Sequence, residues 1–294
     1  MPSCDICPRS CKIDRTAATG FCGCSSVPLI ARAALHFDEE PCISGTNGSG
    51  TIFFSGCNLK CVFCQNMVLT DGKLGTPVTA QQLSKIMLKL QAIGAHNINL
   101  VTPTPHRDVL IDAIARAKQD GLTIPVVYNT GSYETAETIR RFEGLVDIYL
   151  PDLKYVDPRL SMRFSHAADY FPTAIAAIEE MYRQVGPMRT DSLGIAVHGV
   201  RIRHLVLPGC VYDTRAVLDA IRDRFGLDCP ISLMSQFTPI PECSIKPLDR
   251  PLTAREYQNA LDYCISLGFT DVYTQGLDSV GRSFTPPFSA QIDL

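Results

Sequence analysis

Three cysteines in one short stretch carry the strongest chemical signal of this sequence, with the spacing C-x3-C-x2-C: Cys57, Cys61 and Cys64. Three thiolates from one loop can hold three corners of a [4Fe-4S] cube and leave the fourth iron without a protein ligand. Such an open iron can chelate a small molecule through an amine and a carboxylate. Three buried or zinc-bound thiols are the alternative. A predicted strand before the first cysteine and the aromatic Phe63 before the third favour the cluster.

A second group of cysteines precedes this motif. Nine of the 13 cysteines lie within the first 64 residues, and the odd total without an export signal disfavours a disulfide framework. We predict a second metal site, for which zinc and an auxiliary [4Fe-4S] cluster both fit, from four of these residues: Cys4, Cys7, Cys11 and Cys22. Cys24 is then a spare thiol. We interpret the scattered remainder as structural: Cys42, Cys210, Cys229, Cys243 and Cys264.

The composition excludes several classes of protein. The chain has 294 residues, of which 46% are hydrophobic and 19% charged, so it is neither disordered, collagen-like nor a coiled coil. Its 27 Lys and Arg residues do not outnumber the 30 Asp and Glu residues, so charge-driven binding of nucleic acid is not expected. There is no signal-peptide pattern, and no apolar run reaches the ~18 residues of a membrane span. We therefore expect a cytoplasmic protein that binds no membrane.

Beyond residue 50, apolar runs alternate with helical patterns. Thr79 and Gln82 have the spacing of a capping box that opens a helix, and similar patterns recur along the chain. Strands are predicted at residues 51–54, 98–101, 124–128, 146–150, 203–207, 231–234 and 271–273. Six or seven βα units of this kind predict a parallel α/β sheet, either open and doubly wound or closed into a partial or full barrel. In both, chemistry belongs at the carboxyl ends of the strands.

The chain divides by composition into two predicted parts. Residues 1–48 hold six cysteines and little periodicity, and a glycine- and serine-rich stretch at residues 44–50 is typical of a flexible hinge. Residues 49–294 hold the predicted βα units. The first part has too little apolar periodicity to fold alone without metal. We therefore predict a cysteine-rich metal-binding segment in front of an α/β domain.

The three-cysteine motif resembles that of a known family. Cys57, Cys61, Phe63 and Cys64 match C-x3-C-x-aromatic-C, the signature of the radical S-adenosylmethionine (SAM) superfamily. Residues 50–57 and the following Gln65-Asn66 are similar to the branch of pyruvate formate-lyase activating enzymes, and the resemblance covers nearly the whole chain. It implies a partial (β/α)6 barrel, a [4Fe-4S] cluster on the three cysteines, and SAM as cofactor with Phe63 beside it.

The resemblance also implies which residues contact SAM. Thr102 and Thr104 stand where the family holds the SAM amino group, in place of the usual glycine-glycine-glutamate type segment. In the run Asp152-Leu153-Lys154, the lysine corresponds to one that approaches the SAM carboxylate. Polar contacts are implied at three further positions: Asn129, Arg203 and Gln236. The residues alone also fit a rim ion pair of Asp152 with Lys154, a turn at Asn129 and a surface charge at Arg203.

The function implied by the resemblance is reductive cleavage of SAM to a 5′-deoxyadenosyl radical, which abstracts a hydrogen atom from a substrate. The electron would come from a flavodoxin or ferredoxin, under anaerobic conditions. Our first hypothesis is activation of a glycyl radical enzyme, although activating enzymes with extra clusters usually carry those cysteines after the motif. The alternatives are radical modification of another peptide or of a small molecule, and a non-catalytic iron-sulfur redox sensor. The sequence does not identify the hydrogen donor.

Overall fold

The structure is a computed structural model that describes residues 3–241, 243–276, 281, 286, 288 and 291–292. The strands in this part of the chain are β1 (Leu29–His36), β2 (Ser49–Phe54), β3 (Thr76–Pro77), β4 (Ile98–Val101), β5 (Val126–Thr130), β6 (Ile148–Pro151), β7 (Arg189–Thr190), β8 (Ala196–Val200), β9 (Ile202–Leu205), β10 (Ile231–Met234), β11 (Val272–Thr274) and β12 (Gln291–Ile292). The α-helices are α1 (Pro41–Ser44), α2 (Ala80–Ala92), α3 (Arg107–Gln119), α4 (Ala136–Arg140), α5 (Pro158–Ser165), α6 (Tyr170–Val185), α7 (Val211–Phe225) and α8 (Ala254–Leu267).

Parallel strands form an arc that follows the order of the chain, from β2 through β4, β5, β6, β9 and β10 to β11. The first four belong to the larger sheet and the last three to a smaller one. The two sheets join beyond β6, where Asp152 forms a parallel bridge with Arg203 and the Leu153 N–H donates to the Arg203 carbonyl at 2.8 Å. A doubly wound sheet reverses its strand order, whereas a barrel does not. The predicted partial (β/α)6 barrel is therefore confirmed.

Side chains of the arc alternate between an outer and an inner face. Outward-facing tyrosines such as Tyr128 are fully buried against the helices in the main core. Inward-facing Val127 and Ile148 pack instead against Cys42 and Ile43 of α1. The short helix α1 therefore closes the barrel at the end where the strands begin. The opposite end of the barrel, where β2 leads into the three-cysteine loop, is where the candidate site lies.

The strand β1 joins the N-terminal part of the chain to the barrel. It runs antiparallel to β2, with Ile30 opposite Phe54 and His36 opposite Ser49, and it also pairs with β3 and β12. The predicted boundary at residue 48 thus falls between two paired strands. Of the glycine- and serine-rich stretch at residues 44–50, Ser49 and Gly50 belong to β2 and are buried there. An apolar run at residues 29–36 was the available signal for this strand.

Most helix predictions agree with the structure. Thr79 and Gln82 form the predicted capping box at the start of α2, and Thr253 and Glu256 form another at the start of α8. The sequence analysis did not anticipate α1 or α5, and α5 supplies a side chain to the site described below. Across the described residues, the helices are too short or too polar to cross a membrane.

Candidate functional site

The loop with Cys57, Cys61 and Cys64 begins directly after β2, at the carboxyl end of the arc. Its first residue, Gly56, has a φ of 93°, and a Cβ atom there would lie 1.9 Å from the Cys24 sulfur. Only glycine fits this position. The Asn58 side-chain amide donates to the Tyr133 carbonyl at 2.6 Å and ties the loop to the end of β5. The loop is thus held in one conformation by the strands around it.

The three thiols of the loop are close enough to influence one another electrostatically. Burial raises the pKa of Cys61 to about 11 and that of Cys64 to about 12, and the nearby Cys57 thiol adds to both shifts. The Ser165 hydroxyl of α5 donates to the Cys61 sulfur at 2.9 Å. Bound iron would reverse the pKa shift, because a coordinating thiol is deprotonated. Three partly buried thiols in one loop, one of them with a hydroxyl donor, fit the ligands of an iron-sulfur cluster.

A chain of charges lies next to these thiols. Lys154 Nζ donates to Asp152 Oδ2 at 2.6 Å, and Arg203 Nη2 lies 2.8 Å from Asp152 Oδ1. Arg203 also donates to Asn129 Oδ1 at 2.6 Å. The two cations hold the pKa of Asp152 below its usual value despite burial, and electrostatic attraction links Lys154 to Cys61. The structure therefore brings together four of the residues predicted from sequence, from three different strand ends.

One member of this network was missed in the sequence analysis. Glu39, between β1 and α1, reaches into the barrel, and its Oε1 accepts hydrogen bonds from Asn99 Nδ2 at 3.1 Å and Asn129 Nδ2 at 3.2 Å. Its Oε2 lies 3.4 Å from Arg203 Nη1. Burial raises the pKa of Glu39 to about 7. Charged residues just after an apolar run were a possible signal, but only the pairing of β1 places Glu39 inside the barrel.

The remaining predicted residues lie around the same end of the barrel. Phe63 is buried against Phe237, with ring centroids 6.0 Å apart. The backbone carbonyl of Gln236 accepts from the side chain of Gln65, so β10 contacts the cysteine loop. Thr102 follows β4 with a φ of 59°. Thr104 is buried, and its hydroxyl donates to Glu134 at 2.6 Å, a partner that the sequence analysis did not identify.

The N-terminal cysteines lie over this end of the barrel. Arg9 donates from Nε to the Asn58 carbonyl at 2.8 Å, which docks their segment on the three-cysteine loop. The Cys7 thiol is buried next to Cys22, and its pKa is raised to about 12. The Phe21 N–H donates to the Cys11 sulfur at 3.4 Å. Cys4 lies at the start of the same segment, where its N–H donates to the Ile13 carbonyl.

A site for a single metal ion needs at least three ligands around one point. In the residues that the structure describes, no three His, Cys, Asp or Glu side chains converge in this way.

Comparison with known proteins identifies the family of this chain. A sequence model of the radical SAM superfamily matches residues 51–223, more than half of the chain. The chain belongs to the radical SAM superfamily. This family implies a [4Fe-4S] cluster and SAM, and the donor set at Cys57, Cys61 and Cys64 fits that cluster. An uncharacterised protein of Methanocaldococcus jannaschii is 29% identical over 273 residues, which are 88% of this chain and 73% of that protein.

Solved structures are also similar to this chain. SuiB of Streptococcus suis, bound to its precursor peptide SuiA, matches with a TM-score of 0.53 at 13% identity, over 75% of this chain and 46% of SuiB. A domain of pyruvate-formate lyase-activating enzyme from Bacteroides vulgatus has a TM-score of 0.43 at 16% identity, over 59% of this chain and 94% of the domain. This radical SAM chain spans about half the length of SuiB.

Proposed function

We propose that this radical SAM protein is an enzyme that cleaves SAM reductively and uses the product to abstract a hydrogen atom from a substrate. The observation that carries the proposal is the placement of three cluster thiols beside the chain of Lys154, Asp152 and Arg203 at the carboxyl end of one barrel. When bound, the reduced cluster supplies the electron that breaks the sulfonium bond of SAM and yields a 5′-deoxyadenosyl radical.

The residues of this chain bind and orient SAM in the proposal. Lys154 pairs with the SAM carboxylate, and Asp152 holds the ammonium of Lys154 in place. Asn129 and Arg203, already hydrogen-bonded to each other, provide polar contacts on the inner wall of the barrel. Phe63 is buried beside the loop and keeps water from the cysteine ligands. Charged side chains thus bind the carboxylate of SAM, and an apolar side chain excludes water from the cysteine loop.

Two substrate classes follow from this proposal. Activation of a glycyl radical enzyme, with a flavodoxin or ferredoxin as electron donor, is the first. Modification of a different peptide or of a small molecule is the second. The charged network inside the barrel favours both over an iron-sulfur redox sensor, because a sensor has no need of buried polar side chains aimed into a cavity.

The direct test is anaerobic incubation of the reconstituted protein with dithionite and SAM. We expect formation of 5′-deoxyadenosine and methionine, measured by liquid chromatography with mass spectrometry. Protein whose cluster is fully loaded, as shown by iron and sulfide analysis, but which yields no 5′-deoxyadenosine would contradict the proposed function.

Replacing Lys154 by methionine tests the assignment of the SAM carboxylate. We expect Lys154→Met to weaken SAM binding by about ten- to a hundredfold, because it removes one partly buried charge-assisted contact. Calorimetry on cluster-loaded protein measures this affinity. Lys89→Met, on the exposed face of α2, is the matched control and should bind SAM as the wild type does. Equal affinity of both variants for SAM would show that Lys154 only forms the ion pair with Asp152.

We further propose that Cys4, Cys7, Cys11 and Cys22 hold a second metal centre that does not bind SAM. Four thiolates can hold either zinc or an auxiliary [4Fe-4S] cluster, and we propose the cluster. Replacing all four by serine should remove about half of the bound iron, measured by elemental analysis, and leave SAM cleavage in place. Cys264→Ser, buried in α8, is the control with unchanged iron content. Loss of SAM cleavage with the first cluster intact would place these cysteines in the active site.

A further inference from the structure

A cavity of about 100 Å³ lies inside the barrel between the β1–α1 connection and the strands β9, β10 and β11. Its lining includes Glu39, Glu40, Arg203, Ser232 and Gln236. Gln236 also contacts Gln65 of the cysteine loop through its backbone, so the cavity extends toward the cofactor end of the barrel. The opposite side opens to solvent at Asp38 and Thr274, which are both exposed.

Two buried polar atoms of this cavity have no hydrogen-bond partner in the described part of the chain. Ser232 is only 3% exposed, and its hydroxyl is one of them. The Oε2 atom of Glu40 is buried and likewise unpaired. Leaving such groups unsatisfied costs free energy, so native proteins place them where a ligand or water completes their bonds. The cavity is therefore built to receive hydrogen-bond donors.

The carboxylates near the cavity share few cations. Asp152, Glu39 and Glu40 all act on Arg203 electrostatically, and Lys154 pairs with Asp152. Asp152 takes the short contacts to both cations, at 2.6 and 2.8 Å. Glu39 is left with one contact of 3.4 Å to Arg203, and Glu40 forms no ion pair among the described residues. The carboxylate of Glu40 therefore has no short contact to a cation in the described part of the chain.

We propose that this cavity binds the protonated amine or guanidinium group of the hydrogen-donor substrate, through the carboxylates of Glu39 and Glu40 and the hydroxyl of Ser232. The role of this substrate as hydrogen donor rests on the proposed function, whereas the binding of the cation does not. A nitrogen cation on a short aliphatic chain matches the volume of the cavity and its unpaired acceptors. It also enters from the open side and points toward Gln236 and the cofactor.

The probe for this site is n-propylammonium, titrated into the cluster-loaded protein without SAM and followed by ligand-detected NMR. We expect saturable binding with a Kd of about 1–10 mM, and binding of n-propanol and propionate at least about tenfold weaker. Glu40→Gln should weaken binding of n-propylammonium about tenfold, and Ser232→Ala severalfold. Glu137→Gln, a matched change on the exposed surface of α4, should leave the affinity unchanged.

Four results would overturn the proposal. The first two are equal binding of n-propanol and n-propylammonium, and full affinity for n-propylammonium in both Glu40→Gln and Ser232→Ala. The third is displacement of n-propylammonium by an equal concentration of potassium, which would assign the cavity to an inorganic ion. The fourth is competitive displacement by SAM, which would assign the cavity to the cofactor itself. A protein that binds n-propylammonium but cleaves no SAM would contradict the proposed function and support the cation site. A protein that cleaves SAM but does not distinguish n-propylammonium from n-propanol would contradict only the site.

Discussion

Replacing Cys57, Cys61 and Cys64 together by alanine is expected to abolish both the cluster that binds SAM and the cleavage of SAM. The reason is that these three partly buried thiols share one loop, and alanine offers no ligand to iron. Electron paramagnetic resonance of the reduced protein, recorded with and without SAM, measures the effect. The SAM-dependent change of the cluster signal should disappear, and no 5′-deoxyadenosine should form.

A second triple variant separates this effect from the general loss of cysteine. Cys210, Cys243 and Cys264 are also buried, but they lie on other elements, and their joint replacement by alanine should leave the SAM-dependent signal intact. A signal that persists unchanged in the Cys57, Cys61 and Cys64 variant would show that another part of the chain ligates the cluster.

Replacing Asp152 by asparagine is expected to lower the free energy of unfolding by about 3 kcal/mol, because it leaves two buried cations side by side. The side chains of Asp152, Lys154 and Arg203 are 17%, 17% and 12% exposed, so solvent screens them little. Urea unfolding of the reconstituted protein measures the change. Asp262→Asn, on the exposed face of α8, is the control and should shift stability by less than about 0.5 kcal/mol.

A double variant identifies the mechanism. Combining Asp152→Asn with Lys154→Met removes one of the two unpaired cations, so part of the lost stability should return. Because the pKa of Asp152 is held below its ordinary value of 3.8, the wild-type ion pair is complete near neutral pH. Its contribution should be lost only as the pH falls through that lowered pKa. A double variant less stable than Asp152→Asn alone would contradict this account.

The regular part of the fold was predictable because its signal is local. The strands β4 and β10 agree with the predicted residues 98–101 and 231–234, since buried parallel strands are short apolar runs between turns. The capping box at Thr79 depends on residues three positions apart. The strand β1 was missed because cysteines and prolines surround its apolar run. Its place in the sheet is decided by pairing with β2 and β12, which a periodicity within one segment does not report.

Part of the candidate site was also predictable from the sequence. The three-cysteine loop is a local motif, and the residues Asn129, Asp152, Lys154 and Arg203 stand at strand ends that the βα pattern already located. Glu39 and Ser165 were not predicted, because each reaches the site from an element whose position depends on tertiary packing. Local spacing thus reveals ligands that share a loop. It does not reveal side chains that arrive from the other end of the chain.

The contact between Glu39 and Arg203 has a consequence for how the protein folds. These two residues are separated by 164 positions, whereas the three cluster thiols lie within eight residues of one another. Closing a long loop costs more chain entropy than closing a short one, and contacts of high sequence separation form late. The cysteine loop can therefore acquire iron on a partly folded chain. The inner wall of the barrel that contains Glu39 and Arg203 forms only after this long-range contact has been made. We therefore expect the protein to become able to bind iron earlier in its maturation than it becomes able to bind SAM.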